Sequence, residues 1–390
     1  VSQAFQIAHR SARSHLDRVG RLYVDGGWDD RLISTPWSLN SGHPALLVIG
    51  ASAAGWDRNT ALWRAVIRKA SAAIVETADL GSASGIGALD GAGAALYAIE
   101  FATTTTNTDL VPGARSTLAH MIGRGIDVGV DAWRNAASFA DLPGSSWDYT
   151  TGLIGAVTCA RTRTSSRAVA SIQEPADRAV AALVDSILAE DDPAHALVDT
   201  CRRRRDTGLG LVHGVAGLLN LLGQEADSSG LRRDALAALS LATQLRRALD
   251  DGNENVGYYA GAQAWCRGDL GVRIALQNSR LLRSRFDGLL RTLSPDQSPP
   301  ETPSLNSLSV CHGMTGVLAV ESAFAARRQI RQPISPEWWG RHADSYELLT
   351  GLSGAALTLL RGPGRAPNPL EFMRCSYDVD RSTVHPRFPC

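Results

Sequence analysis

Cys266, Cys311 and His312 each stand one or two residues ahead of a Gly-x-x-Gly element, in Cys266-Arg267-Gly268-Asp269-Leu270-Gly271 and Cys311-His312-Gly313-Met314-Thr315-Gly316. Two thiols and one imidazole form a soft donor set suited to Zn2+. Three protein ligands leave the fourth tetrahedral position open, the pattern of a catalytic rather than a structural site. The bland alternative is that both cysteines are small buried hydrophobes at helix starts. His213 occupies the corresponding place in His213-Gly214-Val215-Ala216-Gly217. It is a candidate general acid/base, as the residue type that exchanges protons nearest neutrality, or else a hydrogen-bonded core histidine. Asp148 lies four residues ahead of Gly152. It could orient a histidine or accept a proton, or it could simply cap a helix.

These side chains matter together only if the fold brings their repeats together. The Gly-x-x-Gly element recurs at Gly152, Gly214, Gly268, Gly313 and Gly351, with a degenerate first copy at Asp90-Gly91-Ala92-Gly93. Each interval holds enough chain for two helices of ordinary length. Between copies run amphipathic patterns such as Asp177–Leu188 and Leu231–Leu249, apolar at helical spacing with arginines opposite. Strand-like alternation is scarce, so the chain is expected to be all-α. Glycines three apart at a helix start leave a stripe without Cβ atoms, where backbones can approach closely.

The expected architecture is one α/α toroid domain spanning residues 1–390, with six inner and six outer helices. Closure is preferred over an open solenoid because apolar inner helices need a shared centre to bury them. The motif copies occupy about residues 85–360, residues 1–80 are expected to supply outer helices and loops, and residues 361–390 form a C-terminal tail. Ala102–Asp109, with its run of threonines, and the Pro/Ser-rich Ser294–Asn306 are expected to be loops. In a closed ring the residues just ahead of each motif converge at one mouth, by the N-termini of the inner helices. There the positive end of the helix dipole favours thiolates.

Composition narrows the function classes. Hydrophobic residues make up 44% and charged residues 20%, ordinary for a globular chain and incompatible with wholesale disorder. Lys+Arg 39 balances Asp+Glu 39, so no global basic field is available to hold nucleic acid. The run Arg202–Arg205 reads as a solvated loop more readily than as an anion site. The apolar stretch Pro44–Ala54 is too short to span a bilayer, and the basic N-terminus lacks the apolar region of a signal peptide. With 6 cysteines in 390 residues, a cytoplasmic protein with reduced thiols is expected, associating with membranes only peripherally through partners.

Trp265-Cys266-Arg267-Gly268-Asp269-Leu270-Gly271, Cys311-His312-Gly313-Met314-Thr315-Gly316 and Gly210-Leu211-Val212-His213-Gly214-Val215-Ala216-Gly217 together resemble the hallmark motifs of the lanthipeptide cyclases, the LanC family. The Asp148 element and Thr350-Gly351-Leu352-Ser353-Gly354 are similar to that family's repeats. The resemblance implies an α/α toroid with one zinc per chain at its mouth, bound by Cys266, Cys311 and His312. It also implies His213 and Asp148 as catalytic candidates. Two positions depart from the pattern: Arg267 stands where the family commonly has Tyr, and Ala262 where it often has Arg. Arg267 is the candidate to supply that cation and stabilise an enolate.

The implied activity is formation of lanthionine and methyllanthionine. A cysteine thiol of a dehydrated precursor peptide adds to a dehydroalanine or dehydrobutyrine of the same peptide. A lanthipeptide dehydratase and an export complex are the implied partners. Three other classes compete: a glycosidase using Asp148 and Asp269, a zinc-thiolate prenyltransferase, and a zinc-containing LanC-like scaffold that binds a thiol or glutathione without catalysis. The glycosidase leaves the Cys/Cys/His set unexplained, and the prenyltransferase needs an aromatic-lined pocket in a chain that is only 6% aromatic.

Overall fold

The computed structural model describes residues 3–27, 36–54, 59–79, 85–136, 148–161, 166–189, 209–250, 265–266 and 268–292, with single positions at 348, 353, 356, 357 and 360. Among these residues there are helices and two isolated β-bridges, and no strands. One set of helices is buried almost all round. It comprises α2 (His43–Ala54), α4 (Ala92–Thr106), α6 (Leu153–Ala160), α9 (Val215–Ser229) and α11 (Asp269–Asn278). A second set is amphipathic: α1 (Gln3–Val24), α3 (Thr60–Asp79), α5 (Pro112–Asn135), α8 (Gln173–Ala189) and α10 (Arg232–Asp250). Short helices α7 (Arg167–Ala170), α12 (Arg280–Arg285) and α13 (Asp287–Thr292) join them.

Packing sorts the two sets into concentric layers. Each buried helix touches the next along the chain, from α2 to α4, α6, α9 and α11. The amphipathic helices likewise touch in series, from α1 to α3, α5, α8 and α10, and cover the inner helices from outside. In α5 the buried residues Leu118, Ile122, Ile126, Val130 and Trp133 recur every three or four positions, which gives one face to the inner layer. Inner helices have no such face. All eight residues of α6 are buried, because neighbours cover every side.

A ladder of backbone hydrogen bonds runs through the loops ahead of the inner helices. Leu39 N–H donates to Leu89 O (2.8 Å), Ala88 to Tyr149 (3.0 Å), Tyr149 to Val212 (2.9 Å) and Leu211 to Trp265 (2.8 Å). Leu348, at the last motif copy, donates to Asn40 O, ahead of α2, at 2.7 Å. The outer layer meets there too, since His15 Nε2 of α1 lies 3.4 Å from Ser353 Oγ. The ends of the chain's repeat therefore join, as an α/α toroid requires and an open solenoid does not.

Two expectations change. α2 is an inner helix, although the first 80 residues were expected to supply only outer helices and loops. Its loop, Gly42-His43-Pro44-Ala45, carries Ala45 where the other copies have the second glycine. Five inner helices lie among the described residues, α2 included. Ala102–Thr106 is helical rather than loop. Thr106 Oγ1 donates to Ala102 O at 2.7 Å, so this hydroxyl finds its partner within the helix, which ends at left-handed Asn107. The Gly313 copy, Ser294–Asn306, Arg202–Arg205 and residues 361–390 lie outside the described residues.

The Gly-x-x-Gly signature has a steric cause. A Cβ on Gly271 would sit 2.4 Å from both Leu211 N and Trp265 O, and one on Gly155 would sit 2.1 Å from Tyr149 O. These are backbone atoms of the loop ladder, so no side-chain rotation relieves the clash. Gly91 has the further demand of a positive φ of 107°. Gly271→Ala gains at most about 1 kcal/mol in helix propensity. Overpacking costs about 1–3 kcal/mol even where side chains can adjust, so a net loss of about 2 kcal/mol or more is expected. The urea midpoint should fall accordingly, and an unchanged midpoint would contradict this account of the motif.

Closure also makes the fold acid-sensitive. Burial, reinforced by the nearby Arg18 charge, pushes His15 down from 6.5 to about 4. Between those values the unfolded chain binds a proton that the folded chain refuses, so stability falls as pH drops from 6.5 towards 4. The full window is worth at most about 3 kcal/mol. Melting temperature followed across that window should fall less steeply in His15→Asn than in the wild type. Equal slopes would show that His15 does not contribute.

Candidate active site

The loop ladder fixes three of the sequence-selected residues relative to one another. Asp148 precedes α6, His213 precedes α9 and Cys266 precedes α11, on three successive loops of one mouth. Cys266 O accepts both Val212 N–H and His213 N–H at 3.1 Å, so its loop is bonded directly to that of His213. Tyr149 N–H donates to Val212 O, which ties the Asp148 loop to the same place. The anchoring side chains beneath are buried: Tyr149, Leu211 and Trp265 are each at most 1% exposed.

Asp148 divides its work between two oxygens. Oδ1 accepts from Thr151 N (2.8 Å), Gly152 N (2.9 Å) and Thr151 Oγ1 (3.3 Å). These bonds close the turn ahead of α6, but the cap of that helix is Gly152 and no side chain caps it, so Asp148 is not the helix N-cap it could have been. Oδ2 lies 3.7 Å from His213 Nδ1, which brings the two sequence-selected side chains together. The three bonds to Oδ1 fix the carboxylate within its loop. Thr150 Oγ1 lies 3.5 Å from the same Nδ1. Both oxygens lie on the Nδ1 side of the ring. The histidine side chain is 27% exposed and that of Asp148 15%, so the imidazole is reachable from outside.

Cys266 is buried at 2% exposure, which fits the small-hydrophobe reading and a soft-metal ligand equally. Its backbone carbonyl is bonded to the His213 loop, so Cys266 stands at the mouth under either reading. By contrast, Cys159 lies within inner helix α6, and burial pushes its thiol up to about 12. That thiol is a packing group. Among the described residues no set of three or more His, Cys, Asp or Glu side chains is gathered as for a metal ion. Cys311, His312, Arg267 and Ala262 lie outside the described residues, so Cys266 is the one proposed ligand whose surroundings are seen, and its chemistry fits zinc.

Thr150, two residues ahead of Gly152, was not singled out from the sequence. Its signal was its register, the same as that of Cys266 two repeats later. Asp90, ahead of α4, lines up with His213 in that register. Burial raises its carboxyl, partly offset by the Gly91 backbone N–H.

Among the described residues no helix is long and apolar enough to cross a membrane. No curated protein matches the chain. Among solved structures, one described as nisin cyclase superposes with a TM-score of 0.62, covering 91% of this chain and 96% of that chain at 14% identity. At that identity the likeness speaks for the fold. The family described as lanthionine synthetase C-like protein matches residues 34–362, most of the chain, and on that match, with the helical toroid and its loop motifs, the chain belongs to the lanthionine synthetase C-like family.

Proposed function

We propose that this protein is a zinc-dependent cyclase that forms lanthionine and methyllanthionine rings in a dehydrated precursor peptide. The observation that carries the reading is the bonding of the Cys266 loop to the His213 loop, with Asp148 Oδ2 facing His213 Nδ1. A thiol-directed site and a proton-exchanging site are thereby adjacent, and addition of a thiol to a dehydroamino acid needs both.

The ligands would be Cys266, Cys311 and His312, with one zinc per chain. Bound there, zinc would supply a Lewis acid that lets a peptide thiol, ordinarily of pKa about 8.5, ionise at neutral pH. The thiol passes its proton to Nε2 of His213, and sulfur bonds to the β-carbon of the dehydroamino acid. The π electrons move to the carbonyl oxygen as an enolate, and the α-carbon then takes a proton. His213 supplies that proton from Nε2, while Asp148 keeps the ring oriented through Nδ1. Arg267 is the proposed cation for the developing enolate charge. The substrate comes from a dehydratase, so such an enzyme and an export complex are the proposed partners, and the proposed setting is cytoplasmic, with any membrane association peripheral.

The test is a short peptide with one cysteine and one dehydroalanine, incubated with the purified full chain. Ring closure leaves the mass unchanged, so remaining thiols are alkylated and counted. Rapid loss of alkylation above the peptide's own rate supports the cyclase. Binding of the peptide without such loss would point to a non-catalytic thiol-binding scaffold instead.

A further inference from the structure

We propose that Thr150 is a positioning residue for His213, acting with Asp148 to hold the imidazole proton on Nδ1; this rests on the cyclase reading above. Thr150 Oγ1 lies 3.5 Å from His213 Nδ1, closer than Asp148 Oδ2 at 3.7 Å. The Thr150 hydroxyl could accept from Nδ1–H or donate to a bare Nδ1, but the Asp148 carboxylate can only accept, so with Asp148 present the threonine is left to accept from Nδ1–H. The pair therefore selects the Nδ1–H tautomer, and Nε2 is left to exchange protons with substrate.

Thr150 is itself immobilised by the repeat on its other side. Its carbonyl accepts Asp90 N–H at 2.9 Å and Leu89 N–H at 3.3 Å. Its neighbours are tied as tightly: Thr151 N–H donates to Asp148 Oδ1, and Tyr149 N–H donates to Val212 O. The hydroxyl is thus delivered to His213 from a loop bonded to the repeats on both sides. Asp148 alone would leave the ring free to swing, because its Oδ1 is committed to the α6 entry and only Oδ2 faces the histidine.

Thr150→Val keeps the shape and removes the acceptor, while Thr150→Ser restores an acceptor. Should the valine variant fail to fold, Thr150→Ala removes the same hydroxyl. The decisive readout is the 15N spectrum of histidine-labelled full chain, with the His213 signals identified by their loss in His213→Asn. It is recorded at pH about 8.5, where an ordinary histidine of pKa about 6.5 is neutral and its two nitrogens differ with tautomer. The wild type and Thr150→Ser should show the proton on Nδ1, and Thr150→Val should show a shift towards Nε2–H. Kinetically, Thr150→Val should lower kcat about tenfold or more with little change in KM, and serine should recover most of it. An unchanged tautomer in Thr150→Val overturns the proposal, whether or not the rate falls. The spectrum needs no substrate, so a wild-type protein that fails to cyclise peptide would sink the cyclase reading while leaving the tautomer result to stand by itself.

Discussion

His213→Asn is expected to slow ring closure by about 10²–10⁴-fold, the usual contribution of a positioned general acid or base. The fold should survive the change. His213 joins the loop ladder through its backbone, N–H to Cys266 O at 3.1 Å, and asparagine keeps that bond. The side chain is also 27% exposed, so no deep cavity opens. Zinc content, helicity and peptide affinity should therefore match the wild type, with the loss confined to turnover. Thiol alkylation over time gives the rate, and the peptide alone gives the background. If His213→Asn unfolds or releases zinc, the residue is structural; if it cyclises at the normal rate, the proton comes from elsewhere, with Asp148 next in line.

Cys266→Ala is expected to abolish most metal binding. Loss of an outer partner of a metal ligand already costs about 10–100-fold in affinity, so loss of a ligand should exceed that. The protein should still fold, because Val212 and His213 donate to the Cys266 carbonyl rather than to its sulfur. Elemental analysis of the desalted wild type should give about one zinc per chain, the stoichiometry of a single three-ligand site. Cys266→Ala and Cys311→Ala should each give far less. Full retention of metal by both variants would remove the proposed ligand set.

How far the sequence revealed these features depended on whether a local rule stood behind each one. Second glycines such as Gly155, Gly217 and Gly271 are forced by backbone contacts at 2.1–2.4 Å, so their spacing was visible and the inner helices after them could be placed. At α2 the rule lapses, because Ala45 takes that position, and the helix is covered by both α3 and α4. It shows neither the motif nor an amphipathic period, and it was read only as a stretch too short to cross a bilayer. Asp148 illustrates a different limit. Its spacing suggested either a cap or a catalytic partner, and only geometry shows that it closes the turn ahead of the Gly152 cap while its other oxygen lies 3.7 Å from His213 Nδ1. Thr150 had no legible role, since its relation to His213 depends on loops 63 residues apart meeting across the ladder.

Lanthionine stereochemistry tests the central claim most directly. A fixed acid beside the thiol site delivers its proton to one face of the enolate, whereas uncatalysed addition in water has no such constraint. The product of the wild-type reaction, hydrolysed and resolved on a chiral phase, is predicted to be a single lanthionine diastereomer formed well above the spontaneous rate. The same mixture of diastereomers as the peptide gives by itself, formed at the same rate, would contradict catalysis at this mouth.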